Sequence, residues 1–279
     1  MAITHFIPEL WAASMLEQWN ATNVWAGLTN REYEGILGRG NTVHITGVVP
    51  PTVKDYKTGH DGAPRTTEAE AISDTTIDLV VDQEKSTDFF VDDIDRAQAA
   101  GSLASYTTAA GYAMAEDTDK FLANLAVTQG TPLTGSAPTT GDDAFDLVRD
   151  ARKQLNKANV PSDGRILVCN AEFEGLLLGA DSKLTNAGMV GDNPSAGLRN
   201  ATIGSLLGCQ VVTSNHLPAT DSAQFVMFSI RALAFVSQID QVEAMRAQNK
   251  FADRLRALHV YGGKVIRPEG VAVFNVDGS

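Results

Sequence analysis

The chain has 279 residues, enough for one large domain or two small ones and enough to bury ~70–75% of its unfolded surface without disulfide or metal staples. With 43% hydrophobic and 20% charged residues, and only 24 glycines and 10 prolines, disordered, collagen-like and low-complexity classes are excluded. A net charge of −12 argues against coating nucleic acid by phosphate neutralisation, so work near nucleic acid would be done by enclosing it or standing beside it.

Residues 1–40 read as an arm. Glu9 interrupts the first apolar stretch and no basic start precedes it, so a signal peptide is not expected. All three tryptophans, Trp11, Trp19 and Trp25, fall here. Aromatics that dense in a terminal segment pack on something larger, either the chain's own body or a neighbouring subunit.

Residues 41–92 alternate apolar and polar around Val43 and Ile45, and again around Ile77, Leu79 and Val81. That period of two predicts two strand arms, joined by a polar, turn-rich tip over 57–71. A lone two-stranded ribbon is marginal in water, so a covering partner is expected, and a neighbouring chain is the candidate. Residues 95–127 read as one long helix. Leu103, Tyr106, Ala110, Met114, Phe121 and Leu125 share a face, and alanines are frequent. Unbroken, it is ~50 Å long, the length of a structural spine.

Beyond a loop over 128–141, the element types alternate. Asp142 or Asp143 is expected to cap a helix whose apolar face is Ala144, Val148, Ala151, Leu155 and Ala158. A turn over 161–164 leads to a strand over 166–169 and a short helix over 171–178. Strands are expected over 209–213, 225–229, 232–237, 242–246, 255–261 and 271–276, with Gly262 and Gly263 as a turn. The class is mixed α and β.

Charge is clustered. Residues 68–95 carry a net −9 and residues 246–267 a net +5. These are either two solvated faces or two complementary surfaces that meet, within one chain or between chains.

No phosphate loop, dinucleotide fingerprint, zincin, nucleophile elbow or EF-hand motif occurs. The five histidines lack ligand spacing, and Cys169 and Cys209 stand apart as buried thiols. Asp92, Asp93 and Asp95 form a cluster with the composition of a cation site, but acids at a helix start complement the helix dipole, which is the plainer reading. Two glycosylation sequons, at Asn20 and Asn200, carry no weight without a secretory signal. No catalytic residue, cofactor or metal is expected.

Three stretches, ITGVVPPTVKDY over 45–56, VDQEKSTDFFVDDIDRAQA over 81–99 and AMRAQNKFADRLRALHVYGGKVIRPEGVAVFNV over 244–276, carry a resemblance to tailed-bacteriophage major capsid proteins of the Hong Kong 97 type. The resemblance in layout covers nearly the whole chain. It implies an α+β fold with an N-arm over 1–40, an extended loop over 41–92 and a peripheral domain with the spine helix over 93–140. An axial domain over 141–240 and closing strands of the peripheral domain over 241–279 complete it. It implies self-assembly as pentamers and hexamers of an icosahedral shell around double-stranded DNA that is enclosed without specific binding. The partners implied are further copies of the chain, a portal, a separate scaffolding protein and a decoration protein, with no membrane. The place implied is the virion, assembled in the host cytoplasm. The candidate subunit-contact residues are Trp11, Trp19, Lys54, Lys57, Arg65, Glu68, Glu70, Asp92, Asp93, Arg246, Lys250, Arg254 and Arg256. A cellular nanocompartment shell of the encapsulin kind and an unrecognised mixed α/β enzyme stand as alternatives.

Overall fold

The computed structural model describes residues 24–34, 41–48, 53, 74–93, 104–179, 204–219 and 221–275. A two-stranded ribbon, a three-stranded sheet, a six-stranded sheet and one long helix organise them.

The ribbon is present. Strands β1 (Thr42–Val48) and β2 (Asp74–Val80) pair antiparallel, with Val43 opposite Leu79 and Ile45 opposite Ile77. Two residues later the chain enters β3 (Gln83–Asp92), which leaves the ribbon and pairs antiparallel with a strand from the far end of the sequence, β10 (Ala252–Val265). The other neighbour of β10 is β9 (Leu233–Arg246). The three-stranded sheet therefore runs β3-β10-β9.

Helix α1 (Ala104–Gln129) has 26 described residues and is about 39 Å long at 1.5 Å per residue. Its first half lays Met114 and Ala115 on Leu255 and Ala257 of β10. Its second half lays Leu122, Ala123 and Ala126 on Leu233, Phe235, Tyr261 and Val265. The expected start near residue 95 lies outside the described residues.

The second sheet has six strands. Besides β8 (Gln224–Ser229), β5 (Arg165–Cys169) and β7 (Cys209–Thr213), it holds β11 (Val271–Asn275) and two short edge strands, β4 (Thr131–Pro132) and β6 (Ser205–Leu206). Its order is β4-β11-β8-β5-β7-β6. Both faces of the central strands are buried. Ile166, Val168, Val226, Phe228, Val271 and Val273 face α1. Leu167, Cys169, Phe225, Met227, Ala272 and Phe274 face α2 (Gly141–Lys157) and α3 (Ala171–Leu177). Double burial is why these strands read as short continuous apolar runs.

Several expectations shift. The cap of α2 is Thr140, whose side chain accepts from the Asp143 N–H at 3.2 Å, while Asp143 Oδ2 accepts from the Thr140 N–H at 3.1 Å. Asp143 thus serves as the reciprocal member of a capping box and not as the cap. The strands expected over 232–237 and 242–246 are one 14-residue strand, β9, because partners on β10 continue through the intervening polar residues. Gly262 and Gly263 form no turn; they lie inside β10, opposite Val236 and Phe235. The strand expected over 271–276 among the closing strands sits instead in the six-stranded sheet, beside β8. The turn over 161–164 is present, and Gly164 takes φ +68°, a left-handed conformation that glycine adopts without a side-chain clash. Among the described residues no helix is long and apolar enough to cross a membrane.

Candidate functional site

The three-stranded sheet has two unlike faces. Leu255 and Ala257 of β10 point to α1, so by the strand alternation Arg254, Arg256 and Leu258 point away from it. Register places Phe90 and Met245 beside Arg254, Asp88 and Glu243 beside Arg256, and Ser86 and Gln241 beside Leu258. Two shallow grooves, of about 340 and 390 Å³, run along this outer face.

The charges on it are paired inside the chain. Arg254 reaches diagonally to Asp88, its Nε donating to Oδ1 at 2.8 Å and to Oδ2 at 3.1 Å. Arg256 Nε donates to Glu243 Oε2 at 2.8 Å. At the far end of the sheet, with the strand parity of Leu255 and so on the other face, Arg246 Nη1 donates to Asp93 Oδ1 at 2.9 Å and to Asp253 Oδ1 at 3.0 Å. The hydrogen bond from Arg254 holds the Asp88 carboxyl below the usual carboxylate range. The acidic and basic runs therefore meet within one chain, along β3, β10 and β9. Exposed pairs of this kind contribute little stability, so their main effect is on side-chain position and register.

Apolar side chains stand among these charges. Phe90 is 52% exposed, with the Arg254 guanidinium 5.3 Å and the Lys250 ammonium 5.7 Å from its ring centre. Phe251, at the β9–β10 connection, is 82% exposed, and Leu258 is also exposed. Exposed aromatic and aliphatic groups with arginines and a polar rim have the composition of a protein–protein contact.

Of the candidate contact residues, Asp92, Asp93, Arg246, Lys250, Arg254 and Arg256 gather on this sheet, towards the end distant from the ribbon. Trp11, Trp19, Lys54, Lys57, Arg65, Glu68 and Glu70 lie outside the described residues. Sequence reasoning missed Phe90 and Phe251. The signal available for Phe90 was an apolar residue at a position that the alternation of β3 assigns to the polar face; Phe251 stands in the connection before β10, where alternation says nothing.

At the opposite end of the outer face sits the root of the ribbon. Val43, Leu79 and Val81 are buried against Ala234, Val236 and Val260. The root of the arm is anchored too. Trp25 is fully buried, stacks on Phe228 at 5.9 Å, and donates its indole N–H to Ser214 Oγ at 3.1 Å. For this tryptophan the surface packed against is the chain's own body.

Buried titratable groups serve packing. His259 Nε2 lies 3.2 Å from Ser237 Oγ, and Tyr261 donates to Asp117 Oδ2 at 2.7 Å. Burial pushes the His259 pKa down to about 3 and the Cys169 thiol up to about 12. Among the described residues no group of His, Cys, Asp and Glu is placed to hold a metal ion.

A family model described as phage capsid protein matches residues 74–274. A solved structure from Mycobacterium phage Che8 is 60% identical in sequence over 100% of both chains, with a TM-score of 0.84. The capsid structure of cyanophage P-SCSP1u is 16% identical, over 92% of this chain and 89% of that one, with a TM-score of 0.74. A virus-like particle from Pyrococcus furiosus is 12% identical, over 96% and 98% of the two chains, with a TM-score of 0.64. These last two likenesses concern the fold alone. Among curated proteins none matches.

Proposed function

The chain belongs to the phage capsid protein family, and from that premise we propose that it closes, as pentamers and hexamers, into an icosahedral shell around double-stranded DNA. Its role is structural and not enzymatic, and its place is the capsid of the virion. The observation that carries the reading is the 60% identity with the Mycobacterium phage Che8 structure along the full length of both chains.

A two-stranded ribbon, and a sheet face that carries Phe90 and Leu258 with exposed Phe251 at the connection beside it, leave surface that a monomer cannot cover. Further copies of this chain are the partner that both surfaces share in this reading. The acidic balance suits a container whose contents must pass in and out without being held. A portal, a separate scaffolding protein, a decoration protein and assembly in the host cytoplasm belong to the same proposal. So does the division into arm, extended loop, peripheral and axial parts, and the contact role of the thirteen candidate residues.

Negative-stain microscopy and sedimentation of the purified protein test it. Capsomers or closed particles are expected. A monodisperse monomer at micromolar concentration, in every salt and pH tried, would overturn it.

A further inference from the structure

Only Val81 and Asp82 separate β2 from β3, so the chain passes from the ribbon into the three-stranded sheet in a single short step. That step is taken directly over Gly262. The last pairing of β3 with β10 is Gln83 opposite Tyr261; one residue further, Gly262 is beside β9 only, opposite Val236. A β-carbon on residue 262 would stand 2.4 Å from the Val80 carbonyl oxygen, 2.7 Å from Val81 Cα and 3.1 Å from the Val80 carbonyl carbon. All three are backbone atoms, so no change of rotamer relieves the clash. Gly262 has no left-handed φ to accommodate. What glycine supplies here is room for another backbone.

The rest of the root holds the crossing in place. Val81 donates its N–H to the Asn41 carbonyl oxygen at 2.7 Å, tying the two arms of the ribbon together where they leave the body. Val43, Leu79 and Val81 close on Ala234, Val236 and Val260 around it. The seven residue pairs of β1 and β2 make a lever about 24 Å long at ~3.4 Å per residue. A displacement of about 1 Å at the root, the least a β-carbon would force before reaching ordinary contact, grows along that lever.

We propose that Gly262 is a positioning residue for assembly: its bare backbone sets the direction in which the ribbon leaves the body, so each subunit presents its ribbon pre-aimed at a neighbour. This rests on the self-assembly reading above. Pre-aiming lowers the ordering cost that every inter-subunit contact must otherwise meet. In a closed shell the geometry of one contact is repeated in every subunit, so a fixed error in aim is repeated as well.

Gly263 supplies the matched control. A β-carbon there would meet Leu125 Cδ2 at 3.1 Å, Leu122 Cδ2 at 3.2 Å and the Ala234 carbonyl oxygen at 3.3 Å, on the α1 side of the sheet and away from the ribbon. The two leucine contacts are ends of flexible side chains that can yield.

The experiment compares the wild-type chain, Gly262→Ala, Gly263→Ala and a chain with two glycines inserted between Val81 and Asp82, which relaxes the step without touching the core. Particle yield is read by sedimentation and microscopy, and hydrogen exchange is read on unassembled protein. The expected result is a yield of closed particles roughly tenfold lower or more for Gly262→Ala and for the insertion, because a misdirected ribbon misses its partner in every subunit. Raised exchange should be confined to β1 and β2, and Gly263→Ala should assemble as the wild type does. If the wild type assembles and both ribbon variants match it in yield and particle size, the pivot is overturned. Raised exchange throughout both sheets of Gly262→Ala, with normal assembly of the insertion variant, also overturns it, since the glycine is then a core residue only. A wild type that never assembles overturns the self-assembly reading itself.

Discussion

The backbone N–H of Trp25 donates to Asp119 Oδ1 at 3.0 Å, and that of Val24 to Oδ2 of the same carboxylate at 3.0 Å. A side chain in the middle of α1 thus takes over two main-chain donors of a segment 94 residues earlier. Asp119 is itself 1% exposed, and burial raises its pKa against the pull of these hydrogen bonds. The arm's root is therefore docked by one carboxylate and one indole, whatever the residues before it do in a shell. Trp25→Ala should cost ~3–5 kcal/mol, as for other buried tryptophans. Asp119→Asn should cost ~1–3 kcal/mol, because the amide leaves a buried donor facing a donor. Urea unfolding monitored by circular dichroism measures both; a change under ~0.5 kcal/mol for Trp25→Ala would show that the anchor contributes little.

The outer sheet face separates stability from assembly. Arg254 is half-buried and Arg256 exposed, and each is already paired with an acid of its own chain. The double variant Arg254→Ala, Arg256→Ala should leave the melting temperature nearly unchanged, as is usual for exposed pairs. If these arginines and Phe90 contact a neighbour, the same variant should assemble several-fold more slowly while remaining folded, since removing interface arginines affects association. Light scattering during assembly reads this out, and wild-type kinetics would remove the face from the contact surface. The salt dependence is expected to be shallow, since each charge is neutralised locally and little net field is left for screening to act on.

How much of this was legible in the sequence depends on what each residue faces. The expected limits of β7 match the observed ones, and those of β5 and β8 fall within one residue, because the four-residue apolar runs over 166–169 and 225–228 and the short β-branched stretch of β7 are bounded by turn formers that leave little choice. The ribbon was legible from its alternation. The destination of β11 was not, because Val271–Asn275 is equally apolar whether it closes one sheet or enters another. Gly262 and Gly263 carry the usual signal of a turn, as paired glycines do, and yet lie inside β10. Only the approach of Val80 from one side and of Leu122 and Leu125 from the other shows that both serve close packing within a strand. The ion pairs Arg254–Asp88 and Arg256–Glu243 join residues far apart in sequence or across a hairpin, so the charge runs announced complementarity without saying which chain would supply the partner.

The cap of α2 offers a sharper check of local reading. Thr140→Ala removes the acceptor for the Asp143 N–H and should cost ~1 kcal/mol. Thr140→Ser keeps the oxygen and should restore most of it. Because Thr140 sits at the start of the helix covering Ala272 and Phe274, hydrogen exchange should rise first in the opening turn of α2. An unchanged melting temperature for Thr140→Ala would show that solvent satisfies that turn as well as the hydroxyl does.

His259 makes the stability of the helix–sheet seam depend on acid. It is 1% exposed on β10, its ring 4.4 Å from that of Tyr261, with Ser237 of β9 at its Nε2 and the attraction of Asp117, on α1, partly offsetting the burial. Lys85 lies opposite it on β3, and the register between β9 and β10 slips by one residue just beyond, between Val260 and Tyr261. Burial holds its pKa at about 3, against 6.5 for the free side chain. The unfolded chain therefore binds a proton between pH 6.5 and 3 that the folded chain refuses. Stability from this group is complete above pH 6.5 and falls by at most ~1.4 kcal/mol per pH unit on the way down to about 3. Asp119, with its raised pKa, contributes a slope of opposite sign just above pH 3.8, so the comparison must be made between variants and not read from the wild type alone. His259→Gln should flatten the curve of melting temperature against pH between 6.5 and 4.5 while the wild type declines. Parallel curves for the two proteins over that range would show that the imidazole finds solvent or an anion when it charges, and that the seam is not acid-sensitive through this residue.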